Sequence, residues 1–261
     1  MSRTFARYVA IGDSTTEGLD DPDGHGGYRG WADRLAEKLA ALQGEVLYAN
    51  LAVRGLESHE ILESQLGRAL AMEPALATVV AGVNDLLRPG FDVERFGRTM
   101  VAMQRPLVAQ GAVVLTFTLP DLTRVMPVAR LLRGRVAAMN QAVRDASREA
   151  GATLVDIARH EVAGDPRLWS DDRLHANGEG HARIADALAH GLGLPGSSDA
   201  WTHPLPPMTP PTLRQRVEAE RIWARGHLVP WLGRHARGAS SGDGRVAKRP
   251  ELQPLTAAER R

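Results

Sequence analysis

The chain contains no cysteine, which excludes disulfide bracing, a thiolate nucleophile and a thiolate metal site. Long apolar runs are also missing, and nothing approaches the roughly 18 consecutive residues of a membrane span. The apolar stretch Tyr8 to Ile11 is too short for the core of a signal peptide and leads straight into Asp13. There is no dense Lys/Arg run, no base-reading motif and no internal repeat. Formal charge is only +1, although residues 201–261 hold eleven Lys or Arg against five Asp or Glu. These absences predict a cytoplasmic protein with no transmembrane segment and no nucleic-acid partner. Oligomeric state is not readable.

What is present is enough for a large core: 261 residues, 43 % of them apolar. Short β-like runs alternate with longer helical ones over the first two hundred residues. "TFARYVAI", "EVLYANLA", "ALATVVAG", "AVVLTFTL" and "ATLVDIA" read as strands. Between them, Trp31, Leu35, Leu39 and Leu42 recur at helical spacing, as do apolar positions in Leu56 to Met72, Val93 to Val108 and Val128 to Ala150. Gly178 to His190 reads as a closing helix. Strands without a wet face, each separated by a helix, indicate a parallel sheet covered on both sides. The expected fold is a three-layer α/β/α, doubly wound and mostly parallel five-stranded sheet, occupying residues 1–194. Strand order is not legible.

Residues 195–261 differ in texture. Six prolines between Pro195 and Pro211 indicate an extended connector, and Leu213 to Trp223 reads as a short helix. The basic, Gly-rich end beginning at Arg234 reads as loose or pinned to the surface. Trp201, Trp223 and Trp231 suggest that part of this extension packs against the main domain or a second copy.

In a doubly wound sheet, chemistry gathers beyond the carboxyl ends of the strands. That rule places Ser14, Asn50 to Gly55, Gly82 to Asp85 and the segment after Ile157 on one rim. "GDSTTEG" (Gly12 to Gly18) ends a strand in a polar cluster, where Ser14 is either a turn cap or a nucleophile. A serine needs a base, and the base must be aimed by a third group. In "WSDDRLHANGEGH", Asp172 stands three residues before His175, near enough for a carboxylate to fold back onto an imidazole nitrogen. Asp171 offers a rival register, and His181 ranks second as base. For a developing anion, the N–H groups of Ser14 and Gly55 and the side-chain amide of Asn84 are candidate donors. Taken singly, Asn84 also suits a turn and Gly55 a hinge.

Together these motifs resemble the SGNH hydrolases, also called the GDSL esterase/lipase family. "GDSTTEG" is similar to the first block, "NLAVRG" to the second, "GVND" to the third and "DRLH" to the last, in the family's order. The resemblance implies a flavodoxin-like sheet and a covalent acyl-enzyme without metal or cofactor. It implies Ser14 as nucleophile, His175 as base, Asp172 as its partner, and Ser14, Gly55 and Asn84 as the oxyanion hole. Thr15 departs from the pattern, since leucine often follows the family's serine; its position is expected to turn it off the rim. The expected substrate is a small-molecule or lipid ester with a short or medium acyl chain. Two rivals stand beside this reading. One is a metal-dependent phosphoesterase using Asp13, Asn84, Asp172 and His175. The other is a non-catalytic binding or scaffold protein using the basic tail. Asp13 and Asp85 are expected to brace rim loops, and Arg54 and Arg88 to lie open at the mouth. The loop Leu19 to Gly30 is expected to be mobile, with Leu122, Val125 and Met126 supplying an apolar wall.

Overall fold

A computed structural model describes residues 4–230, 233, 241–242 and 244–257. Trp231 and much of the Gly-rich end from Arg234 lie outside the described residues. In chain order the elements are β1 (Arg7–Gly12), α1 (Ser14–Glu17), α2 (Gly30–Gln43), β2 (Glu45–Asn50), α3 (Ser58–Ala71), β3 (Leu76–Val80) and α4 (Val83–Leu87). There follow α5 (Val93–Ala109), β4 (Val113–Phe117), α6 (Arg133–Ala150), β5 (Thr153–Val155), α7 (Gly178–Gly191), α8 (Leu213–Trp223) and β6 (Arg249–Thr256). Short 3-10 turns fill Leu122–Arg124 and Pro127–Leu132 ahead of α6.

The strands form one sheet in the order β5-β4-β3-β1-β2-β6. The first five are parallel neighbours, in the flavodoxin-like order. β1 alternates between two cores. Tyr8 and Ala10 face a layer containing Trp31, Leu35 and Leu188 from α2 and α7. Val9 and Ile11 face Ile61, Phe96, Met100 and Met139 from α3, α5 and α6. Burial on both faces is why these strands read as continuous apolar runs.

The sheet has six strands where sequence patterning predicts five. β6 comes from the basic extension and runs antiparallel to β2, pairing Leu255 with Val46 and Pro254 with Leu47. Two prolines, Pro250 and Pro254, disguise it, because proline removes a ladder donor and is confined to edges and irregularities. β6 is such an edge, and its register shifts between Tyr48 and Asn50. The Lys248 ammonium, just before β6, donates to the carbonyls of Tyr28 and Arg29 at 2.8 and 2.9 Å and pairs with Asp33 at 3.0 Å. The Leu19 to Gly30 loop, expected to be mobile, is thereby tied down. Asp21 adds to this, accepting from Arg34 and from the Gly30 N–H.

The strand order reverses between β1 and β3, where the chain after β1 passes to α2 on one face and the chain after β3 to α5 on the other, and the crevice for chemistry opens there. Gly12 ends β1 opposite Val80 of β3. Gln65 clamps its backbone through two bonds, 2.8 Å from the Gly12 N–H and 2.9 Å to its carbonyl. A Cβ at Gly12 would stand 2.6 Å from the Val80 carbonyl oxygen. Gly12→Ala is therefore expected to lower unfolding free energy by about 1–3 kcal/mol in urea titrations. An unchanged midpoint would contradict this close packing. Among the described residues, no helix is long and apolar enough to cross a membrane.

Candidate active site

Ser14 is the first residue of α1, immediately beyond β1. Asp13 caps that short turn by accepting the Thr15 N–H at 3.0 Å. On the far side of the crevice, Trp169 and Ala176 pair as a small antiparallel bridge. Ser170 N–H donates to the His175 carbonyl at 2.9 Å, closing a hairpin whose tip is Asp171 to Leu174. Asn177 then begins α7, accepting the N–H groups of Glu179 and Gly180 at 3.1 Å each.

The hairpin turns His175 toward Ser14. His175 Nε2 lies 2.8 Å from Ser14 Oγ, and Nδ1 lies 2.6 Å from Asp172 Oδ2. A carboxylate only accepts, so Nδ1 carries the proton and Nε2 is left to accept from the hydroxyl. Asp172 Oδ1 also accepts the Leu174 and His175 N–H groups at 2.8 and 3.0 Å and lies 2.6 Å from Ser170 Oγ. The Asp171 register is not the one adopted: Asp171 is exposed, and Asp172 meets the imidazole.

Opposing effects set the charges here. Burial favours neutral Asp172, but its bond to His175, the imidazole's charge and the Ser170 hydroxyl hold the carboxyl well below the usual range. Burial likewise opposes charge on His175, yet Asp172, with Asp20 and Asp13 behind it, raises the imidazole above its ordinary value. Asp13 is pushed up to about 6 by burial, despite the Thr15 N–H and the nearby imidazole.

The candidate anion donors sit on neighbouring loops. Val53 N–H donates to the Gly12 carbonyl at 3.3 Å, bringing the loop after β2 against the end of β1. Gly55 follows with φ 81°, a conformation suited to glycine. Asn84 Nδ2 donates to the Leu56 carbonyl at 2.9 Å and lies 3.4 Å from Asp13 Oδ2, tying the loop after β3 to both others. Among the described residues, no protein acceptor takes the N–H of Ser14 or Gly55. Asp85 braces the same loop by accepting the N–H and hydroxyl of Ser58, at 2.9 and 2.5 Å.

Three expectations are revised. His181 does not reach the crevice. Its Nδ1 accepts the Trp31 N–H at 3.2 Å and its Nε2–H donates to the Leu19 carbonyl at 2.9 Å. Burial pushes its pKa down to about 4. Arg54 is not open at the mouth: its guanidinium is ion-paired with Glu17, its backbone N–H donates to the same carboxylate, and it lies over Tyr28. Arg88 remains half-exposed, as expected, and pairs with Glu57 at 2.6 Å. Thr15 is not idle, because it lines an apolar cavity of about 60 Å³ with Phe117, Ile157, Leu174 and Trp201.

A residue that sequence reasoning missed is Asp20. Its Oδ2 lies 2.6 Å from Ser170 Oγ and 3.9 Å from His175 Nδ1. It adopts φ 66°, and nothing in its Gly- and Asp-rich loop distinguishes it from neighbouring carboxylates. Asp20, Asp172 and His175 form a compact ligand-type group, but Asp172 and Nδ1 are bonded to each other there. Of the set proposed for a phosphoesterase, Asp13 accepts from Thr15 and lies by Asn84, and Asp172 is bonded to His175.

Beside the Ser14–His175 contact lies a second, larger groove of about 440 Å³ under the segment 119–132. Val83 and Leu174, the neighbours of Asn84 and His175, line both this groove and the small cavity. Leu122 and Met126 supply part of the groove wall, and Val125 is buried beside them.

The protein falls in the class of carboxylic ester hydrolases. More particularly, residues 10–183 match the GDSL-like Lipase/Acylhydrolase family, and the chain belongs to that family. It is 30 % identical over 194 residues to the GDSL lipase Rv0518 of Mycobacterium tuberculosis (strain ATCC 25618 / H37Rv), covering 69 % of this chain and 79 % of that one. Its fold is similar to that of a catalytic mutant of Axe2, an acetylxylan esterase from Geobacillus stearothermophilus, with TM-score 0.63 and 16 % identity over 76 % of this chain and 100 % of that one. The psychrotrophic esterase EstA from Pseudoalteromonas sp. is similar at TM-score 0.58 and 20 % identity, over 72 % and 97 % of the two chains.

The buried His181 and the part-buried His175 are expected to titrate apart in NMR, His181 near 4 and His175 above its ordinary value of about 6.5. On acidification from about 6.5 toward 4, the unfolded chain takes up a proton at His181 that the folded chain refuses, so that site loses stability as pH falls. Coincident midpoints would contradict the assigned bonds.

Proposed function

We propose that the protein hydrolyses carboxylic esters through an acyl-enzyme on Ser14, with His175 as general base and acid and Asp172 as its orienting partner. The single observation that carries this reading is the continuous bonded chain Ser14 Oγ–His175–Asp172. His175 Nε2 takes the hydroxyl proton as Ser14 Oγ attacks the acyl carbon. The Nδ1–H bond to Asp172 fixes the tautomer and stabilises the imidazolium that forms. Negative charge on the former carbonyl oxygen meets the N–H groups of Ser14 and Gly55 and the Asn84 amide. Each such donor is worth on the order of 10²-fold in rate. The imidazolium then protonates the departing alkoxide, and water, activated by the same nitrogen, releases the acid. The reactive unit is proposed to be residues 1–194, followed by an extension whose β6 pairs with β2 and whose α8 bonds to the Asp172–Arg173 turn.

The acyl chain is proposed to leave the crevice past Val83 and Leu174 into the 440 Å³ groove. A methylene takes up roughly the ~30 Å³ share of one water, so a chain of about ten carbons has room. That capacity favours a medium-chain acyl ester over an acetyl ester.

Ser14→Ala and His175→Ala are each expected to lower kcat/KM at least about 10³-fold on the best ester of a chain-length panel. A loss below about tenfold in either would contradict the roles. EDTA is expected to leave turnover unchanged; its abolition would favour the phosphoesterase reading. Ala137, exposed on α6 and lining the groove, gives a separate test. Ala137→Trp is expected to cut octanoyl-ester kcat/KM at least about tenfold while changing acetyl-ester turnover less than about threefold. Equal effects on both esters would remove the groove from the account.

A further inference from the structure

The family match ends at residue 183, yet α8, thirty residues further on, touches the hairpin that carries Asp172 and His175. The Trp223 indole Nε1–H donates to the Asp172 backbone carbonyl at 3.0 Å. The same ring lies beneath the Arg173 guanidinium, 4.8 Å from its centroid. Arg173 also donates to Glu220 of α8 at 2.8 Å. Arg173 needs this attention. It adopts φ 62°, a left-handed conformation that a residue with a side chain takes only at a cost and that persists when surrounding structure enforces it. That reversal lets the His175 ring return onto the Asp172 carboxylate.

α8 is otherwise poorly buried. Trp223 is its one buried residue, whereas Leu213, Val217 and Ile222 are 71 %, 46 % and 64 % exposed. A helix that anchors itself through a single aromatic, placed on the turn between Asp172 and His175, is oriented toward that turn rather than toward the core.

We infer that Trp223, assisted by Glu220, is a positioning residue: the C-terminal extension holds the strained Asp172–Arg173 turn in the shape that aims His175 at Ser14. It does not touch the reacting atoms and acts through the backbone of Asp172 and the side chain of Arg173. For turnover the inference rests on the hydrolase reading; for geometry it stands alone. The charged groups facing His175 are Asp172 in the hairpin, Asp20 in the loop after α1 and Asp13 at the end of β1.

The test uses the full chain with Trp223→Ala, Trp223→Phe and Glu220→Gln. On a short aryl ester, Trp223→Ala is expected to lower kcat at least about tenfold with KM within about twofold. Loosening the pair removes support for the imidazolium, so the acidic limb of kcat/KM is expected to move to lower pH. Trp223→Phe, which retains a ring beneath Arg173 but no N–H, is expected to recover part of the loss. Glu220→Gln, at a half-exposed position, is expected to give a smaller shift in the same direction and keeps the test open should Trp223→Ala fail to fold. The His175 titration followed by NMR provides a readout independent of turnover, and its midpoint is expected to fall in the variants. A moved midpoint in a protein without esterase activity would uphold the positioning role while removing the hydrolase reading. Folded variants with unchanged midpoint and kcat would overturn the inference, as would a fall in melting temperature alone.

Discussion

One hydrogen bond, 2.8 Å between Ser14 Oγ and His175 Nε2, joins positions 161 residues apart and is the contact on which the site depends. Neither partner is self-sufficient. Ser14 is placed by the end of a central strand, a glycine without room for a side chain and the Asp13 cap. His175 is placed by a hairpin closed through Ser170 and by a carboxylate three residues behind it. The parallel sheet brings the two together because neighbouring chains part at the carboxyl end of β1 and leave a crevice.

Electrostatics at that crevice is a balance. Burial disfavours charge on the imidazole, while Asp172, Asp20 and Asp13 favour it. A base surrounded by carboxylates in water would remain protonated, and one buried alone would be a reluctant acceptor. The outcome is an imidazole held above its ordinary value, with the carboxylates outweighing burial. Cations near the mouth do not upset this balance, because Arg54 is committed to Glu17 and Arg88 to Glu57. The groove beside the site has an apolar wall of Val83, Leu122 and Met126 and a polar side that includes Arg133, Asn140 and Arg144.

Much of this was legible in the sequence because each part had a local signature. Strands buried on both faces leave uninterrupted apolar runs, and a carboxylate three residues before a histidine needs only a tight turn. Leu213–Trp223 forms the helix that its spacing predicts. Other features depended on partners far away in the chain. Pro250 and Pro254 hid β6, whose identity as a strand comes from the free edge of β2. Glu17 lies 37 residues from Arg54, so the ion pair that closes that cation left no local trace. His181 had the same polarity and neighbourhood as a base, and only the Trp31 and Leu19 backbone groups reveal it as a pin between α7 and the first loop. Asp20 was indistinguishable among the acidic residues of its loop until the hairpin folded over it.

In the proposed reaction Ser14 Oγ, activated by His175, is the atom that accepts the acyl group. Treatment with a fluorophosphonate followed by peptide mass spectrometry tests it most directly. The expected result is one phosphonyl group per chain, on the peptide containing Ser14, appearing in step with loss of esterase activity. A label on another residue, or full inactivation with an unmodified Ser14, would contradict the account.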